Sequence, residues 1–419
     1  MTIAAYNTVK DASLTNSLPD NCREGTWVGR AWLPASYSPT GTAGPHLITV
    51  RDKQVIELSG HLETIADLVS KDDPVSAVRN ANGNTVCSLE ELLENSLFHN
   101  LPEDATQADK PHLLAPNDLQ AIKACGVTFA VSMLERVIEE RAGGDPNKAA
   151  EIRAVIRNSI GDDLHSLVPG SEAAMALKDE LIKAGMWSQY LEVGIGPDAE
   201  VFTKSQVLSA ITSGAQLGVL STSHWNNPEP EIALLVTPDA RAIGATLGND
   251  VNLRDYEGRS ALLLGKAKDQ NGTCCLGPLF RLFDDSFSLE DVKSAEVELT
   301  LVGEDGFRSS GANKMSQISR TPESLVAQTC NRSHQYPDGL VLFMGTMFAP
   351  TEDRGEAGLG FTHQIGDRVE ISSAKLGKLV NWVNHCDRIP EWQYGLSQLV
   401  DFIANQRIAK LANKEKASL

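Results

Sequence analysis

Apolar and polar residues follow one another in two different rhythms along this chain. Thr26-Trp-Val-Gly-Arg-Ala-Trp32 and His46-Leu-Ile-Thr-Val-Arg51 are short runs rich in β-branched and aromatic residues, and they predict strands. Ile65-Ala-Asp-Leu-Val69 and Leu89-Glu-Glu-Leu-Leu-Glu94 predict short helices. Residues 101–116, with Pro102, Pro111 and Pro116 among polar neighbours, read as a linker. Beyond it the period lengthens. Asn117-Asp118 can cap a short helix, and Val131, Leu134, Val137 and Ile138 recur at helical spacing, which predicts a helix from Val131 to Arg141. Residues 145–190 read as a mostly helical insertion. From 192 to 385 short apolar runs alternate with Gly and Pro turns, among them Val297-Glu-Leu-Thr-Leu-Val302 and Arg368-Val-Glu-Ile-Ser372, so this stretch is predicted to be β-rich. The whole pattern is that of an α+β protein.

A chain of 419 residues, 42% of them hydrophobic, is long enough for one large domain beside a smaller one. Its 55 acidic and 37 basic residues leave a net charge of −18, which argues against nucleic acid or an anionic membrane as a partner. The 7 cysteines are odd in number and show no repeated spacing, as expected of reduced thiols in a cytoplasmic protein. No segment between Met1 and Cys22 has the apolar run of a signal peptide, and none elsewhere approaches the ~20 apolar residues of a membrane span.

Candidate chemistry concentrates between residues 224 and 255. Glu229 and Glu231 are two apart, and Pro228, Pro230 and the run Ile232-Ala-Leu-Leu-Val236 make the segment extended, so both carboxylates leave one face of a strand. Like charges that close need a cation. A turn at Thr237-Pro238-Asp239 would fold a second strand back and bring Asp250 to the same end. Three hard oxygen donors without a histidine or cysteine set suit magnesium, manganese or calcium rather than zinc.

Trp225-Asn226-Asn227-Pro228-Glu229-Pro230-Glu231, together with Gly248-Asn249-Asp250-Val251-Asn252-Leu253-Arg254-Asp255-Tyr256-Glu257-Gly258, resembles the metal-site core of the fumarylacetoacetate hydrolase superfamily. The likeness spans roughly residues 115–405 and is strongest to the branch of 2-keto-3-deoxy-pentonate dehydratases. It implies a mixed β-roll catalytic domain entered at Leu113-Leu114-Ala115-Pro116. The chain would then divide into a smaller N-terminal α+β domain, 1–112, and a catalytic domain, 113–419.

The resemblance also distributes roles. Glu229, Glu231 and Asp250 would hold Mg2+, or Mn2+, which polarises a 2-keto acid and acidifies the protons beside its carbonyl. Lys268, eight residues before Leu276-Gly277-Pro278, matches the superfamily's active-site lysine, and Lys266 would be a surface residue. Gly126-Val-Thr-Phe129 and Ser132-Met-Leu-Glu135-Arg136-Val-Ile-Glu139-Glu140 resemble the lid. There Glu139 is the candidate general acid or base, with Glu140 and Glu135 as alternative registers. Lys204, in a segment that resembles the family's Pro-Glu-x-Phe-x-Lys strand, and Gly345-Thr346, in its Gly-Thr turn, would hold the substrate with Ser132. Arg254 and Asp255 would form a structural pair.

C–C hydrolases of the superfamily often place His-x-x-Glu in the lid, and the matching positions here are Ser132 and Glu135. That departure favours elimination. The expected activity is dehydration of a 2-keto-3-deoxy-pentonate, derived from xylonate or arabinonate, to 2,5-dioxopentanoate in pentose catabolism, by a homo-oligomer. The alternatives are a C–C hydrolase of acylpyruvates or 2,4-diketo-3-deoxy sugar acids, and a non-catalytic, metal-stabilised sugar-acid-binding protein.

Overall fold

The computed structural model describes residues 13–14, 16–19, 22–102, 104, 108–143, 145, 147–149, 167–183, 185, 187–350, 352–354 and 360–417. The N-terminal part contributes β1 (Trp27–Leu33), β2 (Gly44–Arg51), β3 (Gln54–Glu57), helix α1 (Ile65–Val69), β4 (Asn84–Ser88) and β5 (His112–Leu114). Next come β6 (Ala121–Gly126), α2 (Ala130–Ala142), α3 (Glu172–Lys183), α4 (Gln189–Ile195), β7 (Glu200–Ser205) and β8 (Gln216–Val219). Of the expected helical insertion, residues 150–166 lie outside the described residues. The middle of the chain forms β9 (Asn226–Asn227), β10 (Pro230–Val236), β11 (Ala242–Asp250), β12 (Asn252–Leu253), α5 (Arg254–Glu257), α6 (Leu264–Lys268) and β13 (Cys274–Leu282). The C-terminal part adds β14 (Glu296–Val302), β15 (Arg308–Lys314), β16 (Leu340–Phe343), β17 (Arg368–Ser373), β18 (Gly377–His385) and the long helix α7 (Leu396–Ala417).

Among the described residues, an 11-stranded sheet runs in the order β4-β3-β2-β1-β13-β11-β10-β16-β6-β7, with β5 paired to β1. A 5-stranded sheet has the order β15-β14-β17-β18-β8. Both are mixed, because β16 pairs parallel to β6 and β18 parallel to β8. The α+β class expected from the pattern is what forms. No helix among the described residues is long and apolar enough to cross a membrane.

The position of β10 explains its sequence. Ile232, Leu234 and Val236 face an apolar layer shared with Val297, Leu299 and Leu301 of β14, whereas Ala233 and Leu235 face a second layer with Phe343 and the α1 residues Ile65 and Leu68. A strand buried on both faces reads as a continuous apolar run. By contrast β14 alternates, with Glu296 and Glu298 exposed and Val297 and Leu299 buried.

Two local expectations are corrected. Asn117-Asp118 starts no helix, and residues 115–120 are irregular up to β6. Asp118 instead accepts hydrogen bonds from the backbone N–H groups of Ile65 (2.6 Å) and Ala66 (3.2 Å), so its capping chemistry serves α1, 52 residues earlier. The predicted linker 101–116 contains β5. The boundary expected at 112/113 falls inside that strand, and β1 joins β5 on one side and β13 on the other.

Candidate metal centre and active site

The hairpin of β10 and β11 builds the centre of the site. Thr237 N–H donates to Arg241 O at 2.9 Å across the expected turn, and the antiparallel register sets Glu231 opposite Gly248. Asp250 lies two residues on from Gly248, hence on the same face as Glu231. Glu229, Glu231 and Asp250 each offer an oxygen within 4.8 Å of the others, and their exposures are 1%, 0% and 2%. A Cβ at Gly248 would lie 2.2 Å from the Phe343 ring, so glycine there lets the core close right behind the carboxylates.

Cations from two other elements reach this cluster. Lys268, at the end of α6, places Nζ 2.6 Å from Glu229 Oε2 and 2.9 Å from Asp250 Oδ2. It is buried, whereas Lys266 is exposed. Lys204 of β7 places Nζ 2.9 Å from Asp250 Oδ1 and donates to Lys268 O at 2.6 Å. Glu231 has no ion pair among the described residues. Its carboxylate accepts from Gly345 N–H at 2.7 Å and Thr346 Oγ1 at 3.4 Å. Gly345 adopts φ +105°, and a Cβ there would lie 1.9 Å from Thr128 Oγ1, so both the turn and the space require glycine.

Helix α2 covers the site with a network of charges. Arg136 contacts Glu229 Oε1, donates to Glu139 Oε2 at 2.8 Å and lies 3.0 Å from Glu257 Oε2. Arg254 Nε lies 3.2 Å from Glu139 Oε1 and donates to Asn227 Oδ1 at 2.6 Å. Glu139 is thus joined to the acidic cluster through Arg136, clamped between two guanidiniums. Glu140 turns elsewhere, to the Ser188 hydroxyl. Ser132 lies on α2, but its side chain is outside the described residues. The expected Arg254–Asp255 pair does not form. Asp255 instead accepts from Ser223 Oγ at 2.8 Å and from the His224 N–H at 2.9 Å, because the first turn of α5 sends adjacent side chains in different directions.

Three charged residues here had no role in the sequence reading: Arg136, Glu257 and Glu200. For Glu200 a signal was available. It stands four residues before Lys204 on one strand, so the two share a face. The β6–β7 register sets it opposite Gly126, and its Oε2 lies 1.8 Å from where a Gly126 Cβ would be. Arg136 and Glu257 carried no such signal, since Arg136 joins Glu229 across 93 residues and meets Glu257 only through the fold.

The electrostatics ask for a cation. Burial, then Asp250 and Glu229, push the Glu231 carboxyl well above the usual carboxylate range. Glu229 is buried as well, but Arg136 and Lys268 overcome that penalty and hold it low. Against the cost of burial, Asp250 and Glu229 raise Lys268 above the ordinary lysine range. Burial, with Glu257 next, pushes Glu200 up to about 7. Three converging buried carboxylates, one of them without an ion pair among the described residues, with only oxygen donors, fit a hard divalent cation.

Comparison with known proteins agrees with this geometry. Residues 190–384 match the family described as "Fumarylacetoacetate (FAA) hydrolase C-terminal". A relative from Saccharolobus solfataricus, named 2-dehydro-3-deoxy-D-arabinonate dehydratase, is 29% identical over 181 residues, which is 43% of this chain and 57% of that protein. The chain therefore matches little more than half the length of that relative. The solved structure of a 2-keto-3-deoxy-D-arabinonate dehydratase in its apo form superposes with a TM-score of 0.57 at 18% identity, covering 86% of this chain and 99% of the other. Another, described as complexed with magnesium and 2,5-dioxopentanoate, superposes at 0.56 and 19% identity over 86% and 99% of the two chains. At such identities the structural likeness is one of fold. Residues 190–384 thus match a fumarylacetoacetate hydrolase family domain, and the fold and the acidic cluster agree with that match.

Proposed function

We propose that this chain is a metal-dependent hydro-lyase that dehydrates a 2-keto-3-deoxy-pentonate to 2,5-dioxopentanoate, with Mg2+ or Mn2+ held by Glu229, Glu231 and Asp250. The observation that carries the reading is the buried cluster of three carboxylates, flanked by Lys268 and Lys204 and, among the described residues, hydrogen-bonded to no histidine. The name of the Saccharolobus solfataricus relative supports the substrate class.

A divalent cation bound there supplies Lewis-acid polarisation of the 2-keto group, which acidifies the protons on C3. The remaining work falls to side chains of this chain. The reaction removes one proton each from C3, C5 and the C5 hydroxyl; one of these leaves with the C4 hydroxyl as water, the other two return to C3 and C4, and an aldehyde remains at C5. Those transfers need an acid–base group near the acidic cluster whose pKa lies close to neutrality. Glu200 has that pKa, and Glu139 is the second candidate. The buried ammonium of Lys268 places a positive charge where negative charge develops. The Gly345 N–H and Thr346 hydroxyl, which here hold Glu231, stand ready to donate to a substrate carboxylate instead. A homo-oligomeric state and a cytoplasmic location complete the proposal.

The test is incubation with magnesium and a panel of 2-keto-3-deoxy acids, with the aldehyde read by a coupled NAD-linked dehydrogenase. The pentonate should give a single five-carbon semialdehyde, chelation should abolish turnover, and Glu231→Gln should neither turn over nor bind metal. Release of pyruvate from a 2,4-diketo acid far faster than dehydration would replace the lyase with a hydrolase.

A further inference from the structure

Arg30 and Trp32 are two apart on β1 and project from one face, and the pairing with β5 sets Leu114 opposite Arg30 and His112 opposite Trp32. These side chains form one wall of a cavity of about 580 Å³, within the size range of small-molecule sites. The loop of residues 388–394 forms the facing wall, where Tyr394 meets the Trp32 ring edge-on with centroids 5.9 Å apart. None of Glu229, Glu231, Asp250, Lys204 or Lys268 lines it. The cavity is therefore separate from the acidic cluster.

Its polarity is unusual for an apolar hollow. Arg30 is 5% exposed, and its Nη1 donates to the carbonyl oxygens of Asn117 and Ala115. Its Nη2 and Nε have no hydrogen-bond partner among the described residues, and no carboxylate there forms an ion pair with it. The Asp118 carboxylate acts on it only at a distance, and a buried guanidinium with no ion pair is costly. Trp32 is 8% exposed and its indole N–H also lacks an acceptor among the described residues. Trp392, 46% exposed, stands on the facing wall. We propose that this cavity is a second ligand site, which takes a small organic carboxylate with an aromatic or branched apolar body. The carboxylate supplies Arg30 with the ion pair that Glu391 of the facing wall does not make, and a planar guanidinium receives a carboxylate through paired hydrogen bonds. The apolar body lies among the rings of Trp32, Tyr394 and Trp392.

Titration calorimetry of the full chain with 3-phenylpropionate, and with the uncharged 3-phenylpropionamide, tests this. The acid should bind saturably and the amide about tenfold more weakly or worse, since a charge-assisted pair is about twice as strong as a neutral one. Arg30→Gln should bring the acid down to the amide's affinity. Because Arg30 also supports the turn at 115–117, Trp392→Ala is the second variant, and it should weaken acid and amide alike without lowering the melting temperature. Binding should persist in Glu231→Gln. Equal affinity for acid and amide, no saturable binding of either, or loss of binding in Glu231→Gln would each overturn the proposal.

Discussion

Glu229, Glu231 and Asp250 meet because strand geometry repeats every two residues and the turn at 237–239 is short, and both facts are written in the sequence. Glu200 is different. Its carboxyl is poised near neutrality by burial beside Glu257, and that burial exists only once β7 lies against Gly126. The two candidate acid–base residues make opposite predictions. If Glu200 moves the proton, Glu200→Gln should lower kcat by roughly 10²–10⁴-fold and remove a limb of the pH–rate profile near pH 7, with metal content unchanged. Glu139→Gln should then act mainly through the loss of its clamp on Arg136 and Arg254, changing kcat without removing that limb. The reverse pattern would return the role to Glu139.

At the scale of elements, α7 shows how a helix distant in sequence completes the N-terminal part. Phe402 packs its ring on His46, with centroids 5.0 Å apart, and a Cβ at Gly44 would lie 2.3 Å from that ring. Phe402→Ala should cost about 3 kcal/mol in a urea unfolding experiment, as expected for a buried aromatic that leaves a cavity. A loss below about 1 kcal/mol would mean that α7 is a loose appendage.

His46 beneath Phe402 adds a pH dependence. Its Nδ1 meets Gly44 O at 2.9 Å and its Nε2 meets the Gln406 amide nitrogen at 2.7 Å, which suits a neutral ring, and burial lowers its pKa from 6.5 to about 4. The unfolded chain therefore takes up this proton first as the pH falls. The stability contribution is complete above about pH 6.5 and is withdrawn on the way down to about 4, roughly 2 kcal/mol of it by pH 5. Unfolding at pH 7.5 and at pH 5 should show that loss in the natural chain and a smaller one in His46→Asn; equal losses would assign the acid sensitivity to other groups.

For the whole molecule, the important fact is the shared sheet. β1 pairs with β13 next to β11, so the strand that carries Asp250 is one strand removed from the N-terminal part. A chain reduced to residues 113–419 would leave β13 with an open edge and remove Ala31 and Leu33 from the apolar cluster that holds Leu279. Such a truncation should elute as aggregate in size-exclusion chromatography. If it elutes monodisperse and binds Mn2+, the division at 112/113 marks two units that fold independently.

The sequence by itself determined the class of the fold, the β10–β11 hairpin and the convergence of Glu229, Glu231 and Asp250, because these depend on periodicity and on spacing within a few tens of residues; Lys268 was singled out by family resemblance. The misplaced cap shows where that stops. Asp118 has the right side chain for a helix N-terminus, but which helix it caps is settled by packing across 52 residues. The same holds for the site: Arg136 joins Glu229 across 93 residues, and Lys268 stands between Glu229 and Asp250 from another element. Only tertiary structure decided those partners, and with them each group's charge state. A carboxylate's pKa answers to burial and to whichever charges the fold sets within a few ångströms, and neither is a local property of the chain.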